Sequence, residues 1–152
     1  MITPSPEKAF SKAQKYCVYQ ERSQQETRDK LYSWGLHRNE VENIISQLID
    51  HGFIKEERFA VAYAGGKFRI KKWGKIKIVK GLKEKRVSEP LIKLALLEIS
   101  DKDYRLTLSK VIASKEKLVK ESDPFKRKYK IASYAISRGF EADLVWQMLG
   151  EE

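Results

Sequence analysis

The feature that most restricts the fold of this chain is its punctuation. Glycine or a capping residue interrupts the apolar periodicity at short, regular intervals, and almost every interval between them has helical spacing. After Pro6, residues Phe10, Ala13, Cys17 and Gln20, with Ala9 and Tyr16 beside them, form one apolar stripe. Ser23 and Glu26 then have capping-box spacing, in which hydroxyl and carboxylate each satisfy an amide at the start of a helix. That second helix closes at Gly35, a residue that takes positive φ without a Cβ penalty. Asn39 and Glu42 repeat the capping pattern ahead of Val41, Ile44, Ile45, Leu48 and Ile49, and Gly52 closes the third helix.

The arrangement recurs. Glu56 to about Lys72 carries Phe59, Ala60 and Tyr63, with Phe68 and Ile70 near its end. Gly74 precedes a helix with Ile78, Val79 and Leu82 on one side. Ser88 opens a helix that is apolar on almost every side, from Leu91 through Leu94 and Leu97, and is therefore expected in the middle of the core. By the same reading Leu94→Ala should open a core cavity, at a cost of about 2–5 kcal/mol. A third round begins at Ser100 and Asp103 and runs through Leu108, Val111, Ile112, Leu118 and Val119 to near Glu121. Asp123-Pro124 then caps a helix bearing Phe125, Tyr129, Ala132 and Ile136, which ends at Gly139 and is followed by Leu144, Val145, Met148 and Leu149. The period of about 45–50 residues predicts an all-α chain of tandem three-helix modules, each burying a face against its neighbour. The expected divisions are a tail at 1–6 and repeats at 7–54, 55–99 and 100–152. Gly65-Gly66 inside a helical run costs about 1 kcal/mol each relative to alanine, which a bend or a close helix contact would explain.

Charge adds a second constraint. Of the formal net charge of +10, nine units lie between Lys67 and Arg86, where ten bases face the single acid Glu84. Crowding like charges costs stability unless an anionic partner relieves it. The candidate partner or nucleic-acid contacts are Lys67, Arg69, Lys71, Lys72, Lys75, Lys77, Lys80 and Lys83, with Trp73 among them as a stacking or packing ring. Arg69, Lys71 and Lys72 also suit the negative end of a helix dipole. Arg127, Lys128 and Arg138 are secondary candidates in the last repeat, as are Arg22 and Arg28 in the first; Arg22 and Arg58 have the alternative of bonding a carboxylate such as Glu26 or Glu57.

No stretch reaches the roughly 20 apolar residues of a membrane span, and MITPSPEKAF lacks the plan of a signal peptide. A lone Cys17 on an apolar stripe reads as a packed thiol. His37 and His51 lack partners at ligand spacing, and neither a phosphate-cradling loop nor a nucleophile elbow is present. The expectation is a soluble, cytoplasmic, monomeric binding protein with no enzymatic activity, metal or cofactor.

Three blocks in order resemble the RecX family of recombinase regulators. The first comprises Arg22-Ser23, Glu26, Lys30-Leu31 and Gly35, then Leu48, Gly52-Phe53-Ile54, Arg58-Phe59-Ala60 and Tyr63. The second is Gly74, Ile78, Leu82, Ile92 and Leu96; the third is Lys128-Tyr129 and Ser137-Arg138-Gly139-Phe140, followed by Leu144 and Leu149. Departures are Glu56-Glu57 where the family has an Asp in the pair, Lys75 and Lys77 where it often has Pro and Arg, and Arg86 where it has glycine. The resemblance implies an elongated, curved protein of three repeats and nine helices. It also implies a partner, the RecA recombinase filament on single-stranded DNA, whose extension, ATP hydrolysis and strand exchange such proteins limit. Charge alone leaves open a direct nucleic-acid binder with no recombinase partner, or an adaptor for another acidic protein.

Overall fold

The structure, a computed structural model, describes residues 2–150, which form nine helices and no strand. In chain order they are α1 (Pro6–Tyr19), α2 (Gln24–Ser33), α3 (Arg38–Asp50), α4 (Glu56–Arg69), α5 (Lys75–Glu84), α6 (Glu89–Leu97), α7 (Asp101–Leu118), α8 (Pro124–Ser137) and α9 (Ala142–Met148). The accessible surface is 9798 Å². A compact globular monomer of 17.7 kDa would expose about 8,000 Å². The excess is what a row of modules produces.

Caps set the boundaries where the sequence has them. The Glu26 amide donates to Ser23 Oγ and the Ser23 amide to Glu26 Oε1, both at 3.0 Å. Ser100 Oγ accepts from the Asp103 amide at 3.1 Å, and Asp123 Oδ1 from the Phe125 amide at 3.1 Å. Helix α3 departs from expectation. His37 is its N-cap, with Glu40 accepting from the His37 amide at 3.0 Å. Glu42 is thereby released to pair with Arg28 at 2.6 Å. Two turns close without glycine: Lys72 (φ 56°) after α4 and Arg86 (φ 59°) after α5 both adopt the left-handed conformation. At Arg86 the Val87 amide donates to the Leu82 carbonyl at 3.1 Å, the long bond of a Schellman closure. Helix α4 ends at Arg69 rather than near Lys72, and α7 at Leu118 rather than near Glu121.

The buried apolar residues form two clusters. One belongs to α1–α3 and their loops, with Ala9, Ala13, Cys17, Leu31, Val41, Ile44, Leu48 and Ile54. The other runs continuously through α4–α9, from Phe59 and Phe68 by way of Ile78, Leu82 and Leu108 to Ile131, Phe140 and Val145. Across the second cluster Phe68 stacks on Tyr104 at 5.9 Å, and Tyr104 meets Phe140 at 5.2 Å between centroids. Contacts between the α1–α3 cluster and the rest are largely polar. Glu56 accepts from the Gln24 amide at 2.7 Å, Arg58 pairs with Glu21, and Lys85 pairs with Glu26 at 3.2 Å. Glu56, desolvated there, has its carboxyl pushed above the usual range.

Helix α6 overturns the expectation of an enclosed helix. Only Ile92 and Ala95 within it are buried, while Leu94 is 46% and Leu97 79% exposed. Its apolar letters outnumber the positions that face neighbours, so truncating Leu94 would open no core cavity. Leu118 (72% exposed) and Ile70 (78%) likewise lie outside the core. Gly65 and Gly66 sit within α4 without interrupting it. A Cβ on Gly65 would meet the Arg69 guanidinium, whereas one on Gly66 would meet nothing.

Candidate partner and nucleic-acid interface

The basic stretch occupies the end of α4, the turn after it and the whole of α5. Lysine and arginine close α4 because cations favour a helix C-terminus. Lys72 then reverses the chain in its left-handed conformation, with the Trp73 amide donating to the Lys67 carbonyl at 3.1 Å. Trp73 is half-buried against the α4–α9 core, and its ring meets Tyr63 edge-on at 6.5 Å. The ammonium groups of Lys67 and Lys77 lie 4.9 and 4.7 Å from the indole centroid, so two helices bring their charges to one ring. Lys67 also covers Tyr63 at 5.3 Å. The packing role anticipated for Trp73 is therefore present, with cation–π contacts added to it.

The start of α5 is built on the third set of helices. The Gly74 amide donates to the Arg138 carbonyl at 2.8 Å and the Ile76 amide to the Gly139 carbonyl at 3.0 Å. The Lys75 amide donates to Tyr104 Oη at 2.9 Å, and that hydroxyl donates in turn to Glu141. Burial, then the bond to Glu141, raises the Tyr104 pKa far above the phenol range, so the hydroxyl keeps its proton and its direction. Three amides that a helix N-terminus leaves unpaired thus find partners across the chain. Gly74 is required for this: a Cβ there would lie 2.2 Å from the Gly139 carbonyl carbon. The Lys75 ammonium sits 4.6 Å over the Tyr104 ring.

On α5 itself Ile78 and Leu82 are buried and Val79 half-buried, while Lys80 and Lys83 are exposed. Those two lysines, with Glu84, frame a shallow depression floored by Val79 and Ile76, the latter 56% exposed. Arg69, Lys71 and Lys72 are exposed at the end of α4. Among the described residues, Lys85 alone of the ten bases between Lys67 and Arg86 has an acidic partner within 4 Å.

The secondary candidates are placed differently. Arg127 donates to the carbonyls of Val119 (2.7 Å) and Glu116 (2.6 Å), closing the end of α7. Arg138 donates to the Lys71 carbonyl, tying α8 to the turn after α4. Lys128 is half-buried on α8. Arg22 lies 3.8 Å over Tyr16 and donates to the Tyr16 carbonyl at 3.0 Å. Arg58 takes Glu21 as its carboxylate, and Arg28 takes Glu42. Sequence reasoning missed the support given to α5 by Tyr104, Gly139 and Glu141. Gly74 and Gly139 were both visible as helix boundaries, but nothing in one sequence pairs them. Among the described residues no cluster of three His, Cys, Asp or Glu side chains could hold a metal, and no helix is long and apolar enough to cross a membrane.

Tandem three-helix units with a basic middle helix define a class of all-α modular proteins, and comparison with known proteins narrows it. The family model for the first three-helix domain of RecX matches residues 9–48, and that for its second three-helix domain matches residues 56–96. Together they cover more than half of the chain. A regulatory protein RecX of Clostridium acetobutylicum is 30% identical over 134 residues, 86% of this chain and 60% of the relative. One from Prosthecochloris aestuarii is 26% identical over 144 residues, 95% of this chain and 93% of the relative. The crystal structure of RecX from Lactobacillus salivarius superposes with a TM-score of 0.83 at 23% identity, over 96% of this chain and 95% of that one. The chain belongs to the RecX family of regulatory proteins. It spans about 60% of the length of the clostridial relatives it matches.

Proposed function

We propose that this protein binds recombinase filaments of the RecA type assembled on single-stranded DNA and inhibits their extension, ATP hydrolysis and strand exchange. Family membership supports the regulatory role. The observation that carries the site is the run of bases from Lys67 to Lys83, which lacks acidic partners among the described residues and lies on two helices that meet at Trp73. Unneutralised lysines of this density are a docking surface for an anionic assembly. In this reading the units are residues 7–54, 55–99 and 100–152, and their succession lets one chain touch several protomers of a filament. Many modest contacts then add through effective concentration rather than through one tight pocket.

The test is recombinase ATP hydrolysis on single-stranded DNA, titrated with the protein. Lys71, Lys80 and Lys83 are exposed and make no structural contact of the kind seen for Lys75 and Lys77, so reversing all three to Glu should leave the fold intact. The parent should suppress hydrolysis and the triple variant should not. Undiminished suppression by a variant with the parent's melting temperature refutes the assignment. The second reading, direct nucleic-acid binding without a recombinase, draws on the same unpaired bases. It requires affinity for bare DNA to equal that for coated DNA, with a log–log salt slope near −0.7 per phosphate contact.

A further inference from the structure

Helix α8 presents a stripe that the fold does not use. Phe125, Tyr129, Ala132 and Ile136 have regular helical spacing, but of these only Ala132 is buried; the helix packs through Ile131, Ala132 and Ala135. Phe125 is 78% exposed and Tyr129 59%, and Tyr134, also on α8, is 37% exposed. Rings left in water are a cost the fold does not recover, and contiguous exposed apolar surface marks a binding site more often than chance. Lysines are interleaved with these rings. Phe125 and Tyr129 share a shallow depression with Lys126 and Lys130. Tyr129 and Lys130 also line a second depression, together with Tyr134, Lys115 and Lys120. The Lys115 ammonium stands 4.7 Å over the Tyr134 ring. The two depressions therefore make one surface.

Charge singles out the same place. From Lys115 to Lys130 the chain carries seven bases against three acids. One of those acids, Glu121, pairs with Lys130 at 3.1 Å, and another, Asp123, accepts from its own helix. The excess is hidden in the sequence because acids elsewhere in the third set of helices offset it.

We propose that this face of α8 is a stacking platform for single-stranded nucleic acid, separate from the basic stretch on α5 and independent of any recombinase. Two accessible rings, Phe125 and Tyr129, offer faces to bases, with Tyr134 beside them beneath Lys115, and flanking ammonium groups take the phosphates between them. A duplex hides its base faces and would use the lysines alone. A protein partner fits less well, because lysine is depleted from interface centres and here it alternates with the rings. An anionic membrane would need a continuous apolar face, which Lys126 and Lys130 interrupt.

The experiment is fluorescence anisotropy of a short labelled oligothymidylate with the full chain, alongside a duplex of equal length and phosphatidylserine vesicles. Phe125→Ala with Tyr129→Ala removes two exposed rings and no charge, and its thermal melt should match the parent. Affinity for the oligothymidylate should fall about tenfold or more with the salt slope unchanged. Lys120→Gln with Lys126→Gln should instead flatten that slope by about 1.4, at roughly 0.7 per contact. Unchanged affinity in the aromatic variant overturns the proposal. So does equal affinity for the duplex, or binding confined to the vesicles. If reversing Lys71, Lys80 and Lys83 abolishes oligothymidylate binding while the aromatic variant retains it, the α5 surface is the strand site and the platform is lost. The filament assay stands or falls separately.

Discussion

Gly74→Ala is the substitution for which the structure gives the sharpest number. Gly74 has φ −77°, a conformation open to any residue, so the penalty contains no backbone strain. It is steric. The added Cβ would lie 2.2 Å from the Gly139 carbonyl carbon, 2.3 Å from its oxygen and 2.3 Å from the Phe140 nitrogen. None of these is the end of a side chain that can swing away; all belong to the backbone of a buried turn. Relief requires α5 and the α8–α9 turn to separate, and separation breaks the Gly74-to-Arg138 and Ile76-to-Gly139 hydrogen bonds. At about 1 kcal/mol net for each bond, plus about 1–3 kcal/mol for overpacking, the loss should be about 3–5 kcal/mol. Urea denaturation followed by helical circular dichroism measures it, as a lower midpoint at unchanged slope. Gly66→Ala is the internal control. It lies in the same stretch of chain, inside α4, with open space where its Cβ would go. It should stabilise by about 0.5–1 kcal/mol through helix propensity. A Gly74→Ala loss below about 1 kcal/mol, or a Gly66→Ala loss as large as that of Gly74→Ala, would refute the claim that the α5 start is clamped to the third set of helices.

Arg86→Gly tests the left-handed turn after α5. A non-glycine residue at φ 59° carries roughly 1–2 kcal/mol of strain, so the variant should raise the thermal midpoint of unfolding. The Arg28–Glu42 pair sets a pH dependence. Its hydrogen bond to Arg28 lowers the Glu42 pKa in the folded state, so the pair's contribution is fully present above the ordinary carboxylate range and fades as pH falls through the lowered value. Stability measured from pH 6 down to about 3 should decline, and Glu42→Gln should flatten the part due to this group.

Local signals carried far in this chain, and non-local ones did not. Capping residues at Ser23, Ser100 and Asp123 start their helices as read, because a cap is a contact between residues two or three apart. The α3 cap lies at His37 with Glu40 rather than at Asn39 with Glu42, and Glu42 pairs instead with Arg28 on the facing helix, a contact that sequence separation hides. At Lys72 and Arg86 the turn geometry is imposed by packing on both sides of residues with no preference for it. Periodicity failed in an instructive way at α6 and α8. Both helices have more apolar positions than neighbours to cover them, and a stripe in the letters does not say which stripe is buried. The basic stretch was legible as charge, whereas its partition was not. Lys75 and Lys77 lean on aromatic rings, Arg127 and Arg138 bond carbonyls, and Lys80 and Lys83 remain exposed.

The two ends of α5 explain why charge on this helix can have a defined direction. At its N-terminus the amides of Gly74, Lys75 and Ile76 bond the third set of helices. At its C-terminal end Lys85 bonds Glu26, whose other oxygen completes the cap of α2 in the first set. A single carboxylate therefore both starts a helix and locates the basic helix against it. The joint on one side is an apolar core with an aromatic stack; on the other it is a few ion pairs and one capped amide. Salt weakens the second kind of contact more than the first. Rising ionic strength should therefore loosen the first three helices from α4 and α5 before it disturbs the joint of the α5 N-terminus with α7 and the α8–α9 turn. Hydrogen exchange at the Gln24 amide, bonded to Glu56, compared with that at Ile76 reports the difference directly. Equal salt sensitivity at the two amides would mean that the joints do not differ in kind.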